Sequence, residues 1–141
     1  MKDLAINYLV DTGPLVGLFD ADDTWHQWSY NALAAVDSPL LTTEMVITEA
    51  CHLLRKHPDA VQKLLVGIEK GLLRTQPILA DGIMRVRELK QKYEHMDLAD
   101  ASLVVLSEWQ PRARLITIDR RDFTVYRRND GNPVPCIMPQ N

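Results

Sequence analysis

Leu4–Val10 (LAINYLV), running straight into Asp11-Thr12-Gly13-Pro14 (DTGP), is the stretch on which the fold turns. It is apolar on both faces apart from Asn7, the pattern of a short strand buried inside a parallel sheet. Pro14 suits a first helical turn, and Asp11 or Thr12 can cap it, so the strand is expected to pass directly into a helix over Leu15–Asp20. The acid at the junction is the first sign of chemistry, because a carboxylate ending an apolar run must be hydrogen-bonded, neutralised or bound to a cation.

Outward from this junction the chain alternates between strand and helix. Asp22 or Asp23 is a candidate cap for a helix reaching Val36, with Trp25, Trp28, Ala32 and Val36 at helical spacing, before Ser38-Pro39 breaks it. Leu40-Leu41 reads as a brief strand, and Thr42 or Thr43 caps a helix to about Lys56, stopped by His57-Pro58. A helix over Asp59–Lys70 ends at Gly71, Leu72–Thr75 is a strand candidate, and Asp81–Glu94 is an amphipathic helix with Ile83, Val86 and Leu89 on its packed side. Asp97–Trp109 is a more apolar helix, and Arg114–Asp119 (RLITID) is the second clear strand. Phe123–Tyr126 is a candidate extension of the sheet, and the proline-containing tail after Asn129 reads as irregular. Strands separated by helices imply parallel pairing in an α/β/α sandwich.

Three more acids interrupt apolar runs: Glu49 in MVITEACHLL, Asp100 in MDLADASLV and Asp119 in LITIDRRDF. In open parallel sheets ligands bind beyond the carboxyl ends of the strands, and Asp11 and Asp119 both stand at such ends. If their strands are neighbours, spaced roughly 4.8 Å apart, the two carboxylates can share one ion. Glu49 points along a mostly apolar helical stripe with Met45, Val46, His52 and Leu53. Asp97 and Asp100 share a face at a helix start, where Asp97 is the natural cap and Asp100 the ligand. Several carboxylates in one pocket stay ionised together only with a cation, and an all-oxygen set favours Mg²⁺ or Mn²⁺ over Zn²⁺.

Composition narrows the alternatives. With 141 residues, 46% hydrophobic and 25% charged, the chain is expected to form one soluble domain. No run approaches the ~20 apolar residues of a membrane span, and the opening MKDLAINYLVD meets an acid before any signal-peptide core, so a cytoplasmic location is expected. A net charge of −3 argues against a protein that coats nucleic acid through bulk positive charge. Arg112, Arg114, Arg120, Arg121, Arg127 and Arg128 nevertheless cluster, either as solvated loop charge or as a local phosphate-binding patch. Cys51 lies in a helical pattern and is expected as a buried free thiol.

The four histidines have no zinc spacing, and no GxSxG elbow, P-loop or Rossmann glycine pattern occurs. An aspartyl-phosphate phosphatase would want a second Asp at position 13, which is Gly, and a receiver would want an acidic pair where Asp11 stands alone.

With its four acids in this order, the chain resembles the PIN-domain ribonucleases, and among them the VapC-type toxins of bacterial and archaeal toxin-antitoxin pairs. LVDTGPLV looks like the family's opening strand and first acid, TEMVITEACHLL its helix with the central glutamate, LADASLV its third acidic motif and LITIDRRDF its closing strand. The resemblance covers nearly the whole length. It implies a single PIN-like domain over residues 1–141, a three-layer α/β/α sandwich around a central, mainly parallel sheet. It also implies Mg²⁺- or Mn²⁺-dependent hydrolysis of RNA phosphodiesters, with Asp11, Glu49, Asp100 and Asp119 as catalytic and metal-binding acids. Thr12 and Thr117 would be polar neighbours, Asp97 and Asp122 extra acids beside the motif, and Arg120 and Arg121 candidate RNA-backbone contacts. The expected partners are RNA, a small antitoxin protein and a second copy of the chain, with part of an antitoxin groove on the Trp25–Trp28 helix. The competing readings are a non-catalytic PIN-fold scaffold or RNA-binding module, and an RNA-processing nuclease with no antitoxin.

Overall fold

The computed structural model describes residues 5–140. The opening strand, β1, is Tyr8–Val10, shorter than the expected run from Leu4, a residue outside those described. It pairs in parallel with β2 (Leu40–Thr43) on one side and β4 (Arg114–Ile116) on the other. β3 (Leu73–Gln76) extends the sheet beyond β2, and β5 (Cys136–Ile137) extends it beyond β4, all in parallel, giving the order β3-β2-β1-β4-β5. Leu9, Val10, Leu115 and Ile116 are fully buried, as the unbroken apolar runs require of strands covered on both faces.

Seven helices flank the sheet: α1 (Thr12–Phe19), α2 (His26–Ala34), α3 (Glu44–Leu53), α4 (Pro58–Glu69), α5 (Leu79–Lys92), α6 (Leu98–Trp109) and the single turn α7 (Arg120–Phe123). Their starts follow from local chemistry. Asp11, Thr43, Asp97 and Asp119 each accept a backbone N–H in the first turn of the helix they precede, and Pro58 occupies the first turn of α4. Gly71, at φ +77°, takes the left-handed conformation that turns α4 into β3. α6 is buried nearly all round, with Ala101 to Leu106 free of solvent apart from trace exposure, and forms the second core element beside β1.

The strand order reverses once. β1, β2 and β3 progress to one edge, and the chain then returns to lay β4 on the other side of β1, so the β1–β4 boundary is the topological switch point, at whose carboxyl end ligands bind in open parallel sheets.

Four expectations are corrected. Phe123–Tyr126 does not extend the sheet: Phe123 closes α7, and the fifth strand comes instead from the tail expected to be irregular. Its two residues, partly buried against the core, are paired by backbone hydrogen bonds, with Leu115 N–H donating to Pro135 O at 2.7 Å and Thr117 N–H to Ile137 O at 3.1 Å, at a sheet edge where flanking prolines are tolerated. α2 starts at His26 because Asp23 spends its carboxylate on the Trp25 N–H at 2.9 Å, closing a turn rather than capping the helix. On α5 the packed stripe is Gly82-Val86-Leu89, leaving Ile83 45% exposed, because Gly82 is what lets the helix approach Val105 and Trp109. Cys51 is a free thiol but only partly buried.

Candidate functional site

The switch point is lined with acids. Asp11 follows β1, and its backbone N–H still bonds to Ile116 O of β4 at 3.0 Å. Its side chain, 7% exposed, accepts the Thr12 N–H at 2.7 Å on Oδ1 and the Thr117 hydroxyl at 2.7 Å on Oδ2. Thr117 Oγ1 in turn accepts the backbone N–H of Asp119 at 3.0 Å. Asp119 is therefore not the end of β4 but the cap of α7, accepting the Asp122 N–H at 3.0 Å. Gly13 permits this crossing, because a Cβ there would stand 2.6 Å from Cγ1 of Ile118.

Asp100 enters from α6, where Asp97 caps the helix by accepting the Asp100 N–H at 2.8 Å. Asp97 is exposed and Asp100 half-buried, as their spacing predicted for cap and inward neighbour. Asp100, Asp119 and Asp122 offer carboxylate oxygens that all lie within 4.8 Å of one another. Asp11 and Glu49 border this triad rather than belonging to it: Asp11 is joined to Asp119 through Thr117, and Glu49 Oε2, from α3, accepts the Thr12 hydroxyl at 3.3 Å. α3 and α6 are fixed to each other by the buried Thr43–Ser102 hydroxyl pair, 2.8 Å apart.

One neighbour of the acids escaped the sequence reading. Tyr126, taken as part of a strand, is 4% exposed and donates its hydroxyl to Asp100 Oδ2 at 2.9 Å. Only an aromatic residue three to four positions beyond an acidic turn hinted at it.

The electrostatics are those of a cluster short of positive charge. Burial pushes Asp11 up to about 6, partly offset by the Thr117 and Thr12 hydrogen bonds and reinforced by the charges of Asp119 and Glu49. Burial also pushes Asp100 up to about 8, with Asp11 and Asp97 adding repulsion and Tyr126 opposing it. Asp119 and Glu49 are raised as well, first by burial. Among the described residues, no Lys, Arg or His lies within ion-pairing distance of any of these acids. The donor set is entirely oxygen, hard, and lacks a counter-ion, which fits a divalent cation.

The arginines divide. Arg127 is spent on the carbonyls of Thr124, Val125 and Tyr126, and Arg128 on those of Ser107 and Pro111 and on Asp130. Arg120 and Arg121 remain exposed beside Asp119, with Arg120 also donating to Pro139 O at 2.8 Å. Trp25 is 38% exposed and Trp28 half-buried. Their helix contributes Leu33 to an apolar groove of about 280 Å³ between α1, α2, α4 and β3, lined also by Leu15, Leu18, Leu64 and Leu72 with Lys63 and Lys70 at hand. No described helix is long and apolar enough to cross a membrane.

A family model described as the PIN domain matches residues 8–129. The chain is similar to a Mycobacterium tuberculosis (strain ATCC 25618 / H37Rv) protein named Ribonuclease VapC26, 26% identical over 133 residues that cover 92% of this chain and 98% of that one. Among solved structures it is similar to M. tuberculosis VapC20, described as a sarcin-ricin loop cleaving toxin, with a TM-score of 0.68 and 17% identity over 77% of this chain and 87% of that one. It is also similar to a chain of a toxin-antitoxin complex from Klebsiella pneumoniae, with a TM-score of 0.67 and 23% identity over 84% of this chain and 92% of that one.

Proposed function

The chain belongs to the PIN domain family, and we propose that it is a divalent-metal-dependent ribonuclease acting as the toxin of a VapBC-type toxin-antitoxin pair. The observation that carries this reading is the acidic cluster at the β1–β4 switch point, where Asp100, Asp119 and Asp122 converge beside Asp11 and Glu49 with no basic partner among the described residues. A relative of nearly the same extent bears the name of a ribonuclease, which supports the same conclusion.

In this reading Mg²⁺ or Mn²⁺ would be held by Asp11, Asp100 and Asp119, with Glu49 and Asp122 completing the acidic set. A cation there would supply charge neutralisation at the scissile phosphate and would lower the pKa of a water. The chain's own residues do the rest. Thr117 fixes the rotation of Asp11 and ties it to the Asp119 backbone. Glu49, hydrogen-bonded to Thr12, orients the attacking water. Arg120 and Arg121 take RNA phosphates, holding the strand without reading its bases.

The partners follow the same reading. A small antitoxin inserts apolar side chains into the groove between α1, α2 and α4, and a second copy of the chain covers Leu79, Ile83 and Met84, which stand 43%, 45% and 74% exposed along α5. The working compartment is the cytoplasm, where the RNA is. The reading is tested by incubating the purified protein with total cellular RNA in Mg²⁺, in Mn²⁺ and in EDTA. Discrete fragments in either metal and none in EDTA are expected; undegraded RNA in all three would leave a scaffold.

A further inference from the structure

Asp100 and the Asp119–Asp122 pair reach the acidic cluster from different elements, α6 and α7, and little secondary structure joins them. Tyr126 spans the gap. Its backbone N–H donates to Asp122 O at 3.0 Å, anchoring the residue to α7, while its hydroxyl donates to Asp100 Oδ2 on α6 at 2.9 Å. The ring cannot turn away, because Phe123 and Tyr93 both meet it edge-on with centroids 5.2 Å distant. Tyr93 fixes the following residue too, its hydroxyl accepting the Arg127 N–H at 2.9 Å.

A carboxylate with one oxygen hydrogen-bonded to a rigid donor loses rotation about its terminal bond, so the other oxygen is presented in one direction. We propose that Tyr126 is a positioning residue for the metal-binding carboxylate of Asp100, a strut that holds α6 and α7 at the separation that lets Asp100 and Asp119 serve one cation together. This rests on the metal-dependent reading of the acidic cluster and deepens it.

The test is Mn²⁺ affinity, read by the free-ion paramagnetic resonance signal, for the wild type, Tyr126→Phe, Asp100→Asn, the double variant and Tyr93→Phe. Tyr126→Phe keeps the ring and removes only the donor, so about tenfold weaker binding is expected, at the lower end of what loss of a group supporting a ligand costs. In the Asp100→Asn background the same change has no further effect, since the hydroxyl acts through that carboxylate. Tyr93→Phe removes a part-buried hydrogen bond from the same aromatic cluster without touching Asp100, and is expected to retain wild-type affinity. Wild-type affinity in Tyr126→Phe, equal losses in Tyr126→Phe and Tyr93→Phe, or an undiminished effect in the Asp100→Asn background overturns the positioning role alone. A wild type that binds no Mn²⁺, or an Asp100→Asn variant that binds as well as wild type, overturns the metal site and the strut together.

Discussion

The Thr117 hydroxyl donates to Asp11 Oδ2 at 2.7 Å across the β1–β4 boundary, and its oxygen also accepts the Asp119 N–H at 3.0 Å. One fully buried hydroxyl thus joins Asp11 and Asp119, the first and last of the four acids that interrupt apolar runs, 108 positions apart in sequence. Thr117→Val keeps the shape and removes both bonds. It is expected to cost about 1–3 kcal/mol in urea unfolding, the penalty of a buried acceptor left without its partner, whereas Thr117→Ser stays near wild type. Equal stability for the Val variant would mean that Asp11 does not depend on this hydroxyl.

The raised acids make stability depend on pH in an unusual direction. Asp11 and Asp100 hold their protons more tightly in the folded chain, near 6 and 8, than at the unfolded value of 3.8. Their contribution is fully present below about pH 4 and is lost as pH climbs through 6 for Asp11 and then 8 for Asp100. In EDTA, Tm is therefore expected to fall between pH 5 and pH 8.5. Added Mg²⁺ should raise Tm at pH 8.5 and have little effect at pH 5, where Asp11 and Asp100 carry protons. A metal effect of equal size at both pH values would place the cation elsewhere.

Asp100→Asn removes a buried charge without removing the acceptor that Tyr126 uses. Metal-free, at pH 8.5, this variant should melt above wild type, while Mg²⁺ no longer stabilises it and RNA cleavage falls at least a hundredfold. Function and stability would then pull in opposite directions at one residue, as expected of a site that stores repulsion. A variant less stable than wild type in EDTA would show that the ionised Asp100 is not a liability.

Helix packing beneath the site offers an independent check. Gly17 on α1 faces Ser29 on α2, where a Cβ would meet the Ser29 Oγ at 2.4 Å, and that hydroxyl has no hydrogen-bond partner among the described residues. Gly17→Ala, normally favourable inside a helix, should here destabilise by about 1–3 kcal/mol through overpacking. Ser29→Ala is expected to cost little by itself and to recover part of that loss in the double variant. Strict additivity of the two changes would count against close α1–α2 contact.

The acids were legible because each interrupts an apolar run, and an interruption of that kind is a local signal. Parallel pairing was legible from alternation of strand and helix. What could not be read were relationships set by backbone or by distance. Cys136–Ile137 became a strand because Leu115 and Thr117, distant in sequence, offered N–H groups to this segment. Asp119 looked like a strand end because RLITID is continuous in hydrophobicity, yet the hydrogen bond to Thr117 bends the chain into α7. Asp122 was set beside the ligands, while the fold brings its carboxylate into the same 4.8 Å triad as Asp100 and Asp119. Tyr126 was invisible because its role depends on a partner 26 positions away.

Whether these acids hold a metal needed to cleave RNA is read from the cleavage rate of end-labelled cellular RNA in Mg²⁺ by the wild type and by Asp100→Asn, each shown folded by its melting transition. Metal-dependent cutting by the wild type and at least a hundredfold less by the variant are expected. Equal cutting by both proteins, or cutting that persists in EDTA, would contradict the metal-dependent reading.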